Sequence, residues 1–379
     1  MHDKIWLSPP HLSGNELEFI DDAFQKNWVT SIGNNIDEFE NDLRSFLGGN
    51  IEVCALNSAT SAIHLALMLL GVGNEDEVLT STFSFVASAN PIIYCNANPV
   101  FIDSEPETWN MCPVTLEEAI KDRLLQGKKI KAIIVVHLYG MPAKMDEILS
   151  IAEKYKIPVI EDAAESLGSR YKGKPCGGFG QFGIISFNGN KIITTSGGGT
   201  LICHSKEDKN KAIFLSTQAR DDAPHYQHSS TGYNYRMSNI IAGIGRGQMK
   251  VLNDRIQARR GIHNFYTALF ENIDGVDVFT EPNEDFYSNH WLSAITINSE
   301  KTGKTREDLR LALLNDNIES RPLWKPLHLQ PVFSNFPYYG RQTAENLFNS
   351  GLCLPSGSNI SIEHKERIAR VLKDFFKHS

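Results

Sequence analysis

Apolar and polar positions along this chain repeat with two different periods. Near the start, Leu17, Ile20 and Phe24 recur at helical spacing behind Ser13-Gly-Asn-Glu16, which has the form of a capping box. Phe39, Leu43 and Phe46 mark a second helix over about 36–47. From residue 51 short apolar runs alternate with amphipathic stretches. IEVCAL, EVLTST, PVFID, KAIIVVHL and IPVIED read as strands. SATSAIHLALMLLG, FVASANPIIYC (with a proline near its middle), VTLEEAIKDRLLQ and MDEILSIAEKYK read as the helices between them. Such alternation predicts parallel βαβ units in a sheet covered on both faces. FGIISF, just before Asn188, adds a further buried strand.

After Thr200 the alternation weakens. Residues 211–239 are polar, aromatic and turn-rich, which is long for an idle connection and predicts a functional loop. A helical pattern follows from about 240 to 269, then a strand at 291–297, a helix at 306–317, the run ESRPLWKPLHLQPVF and a final helix from Ser361. The expected architecture is α/β: a large domain with a mostly parallel sheet over residues 1–250, and a smaller α+β domain over 251–379.

Composition narrows the partners. The 379 residues carry a net charge of −8 with no basic block, so nucleic acid and anionic membrane surfaces are not expected to bind. MHDKIWLSPP lacks the apolar core of a signal peptide, and the longest apolar runs, such as AIIVV, are too short for a bilayer. The six cysteines have neither a CxxC pair nor metal spacing, and free thiols in a reducing cytoplasm are the expectation. His225 and His228 sit close together in a loop-like stretch, and no metal site is expected there.

Candidate chemistry gathers between Glu161 and Thr200. In a parallel sheet, residues just past a strand's carboxyl end face the ligand crevice, which places Asp162 and Lys191 at one site. Glu161, adjacent in an extended chain, must face the other way. A lysine so placed is either a solvated turn residue or a carbonyl-reactive amine. FNGNK running into TTSGGG, where small residues let backbone approach a ligand, favours the amine. Asp162 is either the N-cap of a following helix or the carboxylate that keeps a pyridine nitrogen protonated, as a pyridoxal phosphate (PLP) enzyme requires. Ser58, Ala59 and Thr60, between a strand and a helix, can cap that helix or bind a phosphate at its N-terminus. Ser186 can add a hydroxyl. Phe85 can stack on the cofactor ring or pack in the core.

These motifs carry a resemblance. ALNSATSAIHLAL, TFSFVASANPI, VIEDAAESLGS, SFNGNKIITTSGGG and GYNYRMSNIIAGIGRGQMKVL, in this order, resemble the DegT/DnrJ/StrS family of PLP-dependent sugar aminotransferases. RPLWKPLHLQPVF with CLPSGSN resembles the family's C-terminal part, so nearly the whole chain is covered. The resemblance implies the aspartate aminotransferase fold (fold type I) and a homodimer with shared active sites. It implies Lys191 as Schiff-base lysine, Asp162 as pyridinium partner and Phe85 as stacking ring. Ser58, Ala59, Thr60 and Ser186 become phosphate contacts, with Asn234 reaching the other subunit's phosphate. Trp324, Lys325 and His328 become contacts to a nucleotide-linked keto sugar, although a packed loop also contains such residues. Glu165 stands where many members have Gln or His, and would either donate to the cofactor's phenolic oxygen or turn toward the sugar amine. The implied reaction moves the amino group of L-glutamate onto C4 of a UDP-4-keto-6-deoxy-N-acetylhexosamine, the branch these runs look most similar to. Alternatives are a C3 aminotransferase of a UDP- or dTDP-keto sugar, a GDP-perosamine-type synthase, or a binding protein that kept the fold without the chemistry. The joint presence of Lys191, Asp162 and the SAT turn argues against the last. The sugar dehydratases of the family carry His at the lysine position.

Overall fold

A computed structural model describes residues 3–377. Its β-branched runs form one eight-stranded sheet in the order Glu52–Leu56, Gly199–Cys203, Phe182–Ser186, Val159–Asp162, Ile130–Val136, Glu77–Ser81, Asn98–Ile102 and Tyr338–Tyr339. Gly199–Cys203 runs antiparallel to both its neighbours, and the remaining pairs are parallel. Alternate residues feed two cores, which is why the strands read as continuous apolar runs. Leu79, Val100, Ile133 and Val135 pack on one side against Leu116 and Ile120 of the helix Pro113–Leu125. Val78, Ile134, Ile160 and Ile184 pack on the other against Ala62, Leu65 and Ala66 of the helix Ala59–Leu69.

A second sheet of four strands, Val276–Val278, Ser293–Ile297, Gly351–Leu354 and Arg321–Pro322, is antiparallel. Ile262 and Tyr266 of Leu252–Phe270, Leu309 and Leu313 of Arg306–Asn315, and Ile368 and Leu372 of Ile362–Phe376 cover it. Two segments cross the division placed at residue 250. Ile5 pairs with Ile318 beside the small sheet, and Tyr338–Tyr339 returns as the edge strand of the large one.

Three local expectations are corrected. FVASANPIIYC is not one helix: it forms a single 3-10 turn, Val86–Ser88, and a short helix Asn90–Tyr94 that Pro91 opens rather than interrupts. The pattern from 240 to 269 divides into Asn239–Met249 and Leu252–Phe270. The capping box at Ser13 is half made. Glu16 accepts from the backbone N–H of Ser13 (2.7 Å), but Asn15, not Ser13, is the N-cap of Glu16–Gln25, and its side chain donates to Ser13 Oγ (3.1 Å) instead of capping the helix. That helix packs on Asn239–Met249 at a point where a Cβ on Gly247 would lie 2.8 Å from Glu16 Cα. Of its periodic apolar side chains, Ile20 is half-buried, whereas Leu17 and Phe24 face outward, 67% and 61% exposed. Among the described residues no helix is long and apolar enough to cross a membrane.

At the end of Val159–Asp162, Glu161 points into the large core. It accepts from His137 Nε2 (2.9 Å) and from the N–H groups of Gly177 (2.8 Å), Phe179 and Gly180 (2.7 Å). Burial alone would raise this carboxyl; His137 and the N–H donors outweigh it and hold it below the usual carboxylate range. The stabilisation is therefore present above that range and is lost as pH falls through the lowered value. Glu161→Ala leaves His137 and three N–H groups without their acceptor and is expected to cost about 3–5 kcal/mol in urea unfolding. A loss below about 1 kcal/mol would show that the cluster is dispensable.

Candidate active site

Asp162 ends one strand of the large sheet, and Phe182–Ser186 lies beside it in parallel. Past Ser186 the chain turns through Asn188–Asn190, with Lys191 N–H donating to Asn188 O (3.0 Å), and returns to pair as Gly199–Cys203. This geometry brings Asp162 and Lys191 to one cavity of about 270 Å³. Ser58, Ala59, Thr60, Phe85, Glu165, Ser186 and Trp324 line the same cavity.

Three walls differ in chemistry. On the first, Asp162 is oriented by Ser88 Oγ, which donates to Oδ2 (2.6 Å), and by the Ala164 N–H at Oδ1 (3.2 Å). Ser88 is braced by Ser84 Oγ (2.7 Å). On the second, Lys191 is 12% exposed, its Nζ 3.5 Å from Glu165 Oε1 and 4.1 Å from the centre of the Trp291 ring. Glu165 is buried and accepts the Tyr139 N–H at Oε2 (2.7 Å). Burial pushes its carboxyl up, with the Lys191 ammonium working against the rise.

The third wall is the N-terminus of Ala59–Leu69. Ser58 is the N-cap, its Oγ accepting from Ser61 N–H (3.1 Å), while Ala59 and Thr60 stand in the first turn, whose N–H groups have no intrahelical partner. The loop expected over 211–239 starts later, because residues 211–216 end the helix Lys206–Ser216. The polar stretch after them folds back onto this turn, with Tyr235 O accepting from Asn57 N–H (2.7 Å) and Asn57 Nδ2 donating to Asn234 O (3.1 Å). A Cβ on Gly199 would lie 2.3 Å from Ala59 N, so a glycine is needed there for the strand to meet the turn. Of the three glycines, Gly197 and Gly198 line the cavity, whereas Gly199 serves this packing.

The remaining predicted residues are placed differently. Phe85, 51% exposed, stands at the cavity with its ring 5.4 Å from that of Trp324. Lys325 is exposed and lines a neighbouring cavity of about 540 Å³ between the N-terminal segment Trp6–Pro9 and the small sheet, a cavity that also shares Trp324. His328 is not brought to the site: Nδ1 bonds Thr82 Oγ1 (2.7 Å), Nε2 faces Glu345 (3.3 Å), and its ring stacks on Tyr338 at 3.7 Å. Asn234 is exposed and does not line the cavity of its own chain. Ser88 and Trp291 line the site and were not anticipated. Ser88 lies within the run TFSFVASANPI, but nothing local marks it as a partner of Asp162.

The donor set fits pyridoxal phosphate. A helix N-terminus with hydroxyls suits the phosphate, a buried carboxylate suits a pyridinium nitrogen, and a primary amine suits the aldehyde. Trp324 Nε1, buried and without a hydrogen-bond partner among the described residues, adds an unused donor on a residue that lines the cavity.

Residues 10–373 match the model of the DegT/DnrJ/EryC1/StrS aminotransferase family. The chain belongs to that family. Its chemistry is sugar transamination with pyridoxal phosphate as cofactor, and its fold is aspartate-aminotransferase-like. EpsN of Bacillus subtilis (strain 168), assigned as a pyridoxal phosphate-dependent aminotransferase, is 49% identical over 380 residues, 99% of this chain and 97% of EpsN. GDP-perosamine synthase of Escherichia coli O157:H7 is 36% identical over 368 residues, 97% of each chain. Among solved structures, the PLP form of Spr1654 from Streptococcus pneumoniae, assigned as a sugar aminotransferase, superposes with a TM-score of 0.90 at 26% identity over 99% of each chain.

Gly199→Ala is expected to displace the Ser58–Thr60 turn and weaken binding of pyridoxal phosphate about tenfold, or about 1.4 kcal/mol. Absorbance titration of the cofactor-free protein measures this. An unchanged affinity would show that the turn does not hold the phosphate.

Proposed function

We propose that this aminotransferase moves the amino group of L-glutamate onto C4 of a UDP-4-keto-6-deoxy-N-acetylhexosamine, with 2-oxoglutarate as the second product. The observation that carries the transaminase reading is Lys191 and Asp162 facing one cavity with the Ser58–Thr60 turn. The UDP-sugar reading is supported by the motif runs around Lys191 and Asn234. A GDP-linked 4-keto-6-deoxyhexose is the second reading, favoured by the likeness to GDP-perosamine synthase.

The chemistry pyridoxal phosphate supplies is amine exchange at an electrophilic carbon and storage of the electron pair left when a C–H bond breaks. This chain's residues do the rest. Ser58, Thr60, Ser186 and the first-turn N–H groups bind the phosphate, and Phe85 covers the ring. Asp162, held by Ser88 and Ala164, keeps a proton on the pyridine nitrogen. Lys191 is the reactive amine; when free it takes a proton from the donor's α-carbon in the first half-reaction and, in the second, delivers a proton to the sugar carbon. Glu165, with its carboxyl raised and 3.5 Å from Nζ, can hold a proton beside that amine. Trp324 and Lys325 contact the nucleotide sugar. A homodimer completes the site: Leu17, Phe24, Trp28, Val29 and Ile32 leave an apolar surface that a second copy covers, and the exposed Asn234 reaches the second subunit's phosphate.

The test follows the visible absorbance of cofactor-loaded protein through L-glutamate and then each keto sugar, with mass spectrometry of the sugar product. Glutamate should bleach the band, and the UDP sugar should restore it and gain an amine. Lys191→Ala should lower turnover at least about a thousandfold. Restoration by the GDP sugar alone would transfer the assignment to the second reading, and no response to glutamate would refute transamination by this donor.

A further inference from the structure

Arg259, in Leu252–Phe270, is 1% exposed, yet its side chain hydrogen-bonds only uncharged oxygens, and among the described residues it forms no ion pair with a carboxylate. Burial, with neighbouring Arg255 adding to it, pushes the guanidinium down to about 9, still charged at neutral pH. Such a group costs several kcal/mol to desolvate, and an apolar side chain would fill the space more cheaply. What it holds explains its presence.

Nη1 donates to the carbonyls of Trp291 and Ser356 (3.2 Å for the second), and Nη2 to Ser8 Oγ (3.0 Å) and the carbonyl of Lys191 (3.4 Å). Ser8 Oγ in turn donates to the carbonyl of Asn190 (2.7 Å), which also accepts from Trp291 Nε1 (2.7 Å). The cycle Arg259–Ser8–Asn190–Trp291 therefore closes on itself. It pins the peptide carbonyls on both sides of Lys191 to three segments remote in sequence, and it sets the indole ring over which the Lys191 ammonium rests.

We propose that Arg259 is a positioning residue for Lys191, acting through Ser8 and Trp291 on the backbone turn and on the aromatic face that orients the amine. The catalytic significance rests on Lys191 being the reactive amine; the positioning itself does not.

Two charge-preserving variants test this. Arg259→Lys keeps the cation but cannot span two pairs of acceptors, because an ammonium lacks the planar fork. Ser8→Ala removes one corner of the cycle and leaves Arg259 in place. Reductive methylation of the cofactor-free protein by formaldehyde and cyanoborohydride, followed by peptide mass spectrometry, reports the reactivity of each lysine. Lys209, 2.9 Å from Glu40 and similarly enclosed, is the internal control. Lys191 should be labelled about threefold faster in both variants as its turn opens locally, with Lys209 unchanged. In the loaded enzyme, kcat for the glutamate half-reaction should fall about tenfold at unchanged KM, since misplacement costs rate and not donor binding. Unchanged Lys191 labelling in the folded variants overturns the proposal, and so does an equal rise at Lys209, which would mean general loosening. A rise confined to Lys191 in a protein inactive with glutamate and both sugars upholds the positioning and refutes only the enzymatic reading.

Discussion

Successive side chains of a strand point to opposite faces, and at the end of Val159–Asp162 this sends two adjacent carboxylates to unrelated tasks. Glu161 turns into the large core, where His137 and three backbone N–H groups consume its acceptors and hold the loop 177–180 against the strand. Asp162 turns into the cavity, where two donors orient it and leave it facing the site. Because Phe182–Ser186 is paired to this strand in register, the same constraint fixes where the next turn, and with it Lys191, emerges. A slip of one residue would exchange the two carboxylates and dismantle both the core cluster and the site.

The site is assembled from long range as much as from its own turns. Gly199 lets the strand that follows Lys191 touch the Ser58–Thr60 turn, and the stretch around Asn234 and Tyr235 is hydrogen-bonded to Asn57. Ser8, Arg259 and Trp291 reach the carbonyls of residues 190 and 191 from the N-terminal segment, a helix and the approach to the small sheet. The chemistry therefore depends on both sheets being in place.

What can be read from the sequence follows from how local each signal is. The βαβ order, the two carboxylates' opposite facing, the lysine after a buried strand and the SAT turn are all encoded within a few residues, and each is legible. Ser88 and Trp291 are not, because their partners lie 74 and 101 residues away. His328 sits in a run that looks like a binding loop, but its neighbours Thr82, Tyr338 and Glu345 come together only when Tyr338–Tyr339 joins the edge of the large sheet. Leu17 and Phe24 have the spacing of a core face, and periodicity alone cannot distinguish cover by the same chain from cover by another. The same limit applies to FVASANPIIYC, whose apolar positions are satisfied by a 3-10 turn and a short helix as well as by one long one.

The central claim is that Lys191 is the amine that meets the cofactor in this cavity. Borohydride reduction of protein loaded with pyridoxal phosphate, followed by peptide mapping, tests it most directly, because reduction fixes the cofactor to whichever nitrogen it has joined. The account predicts a single covalent attachment, on Lys191. Attachment to another lysine, or none in protein that has bound the cofactor, would contradict it.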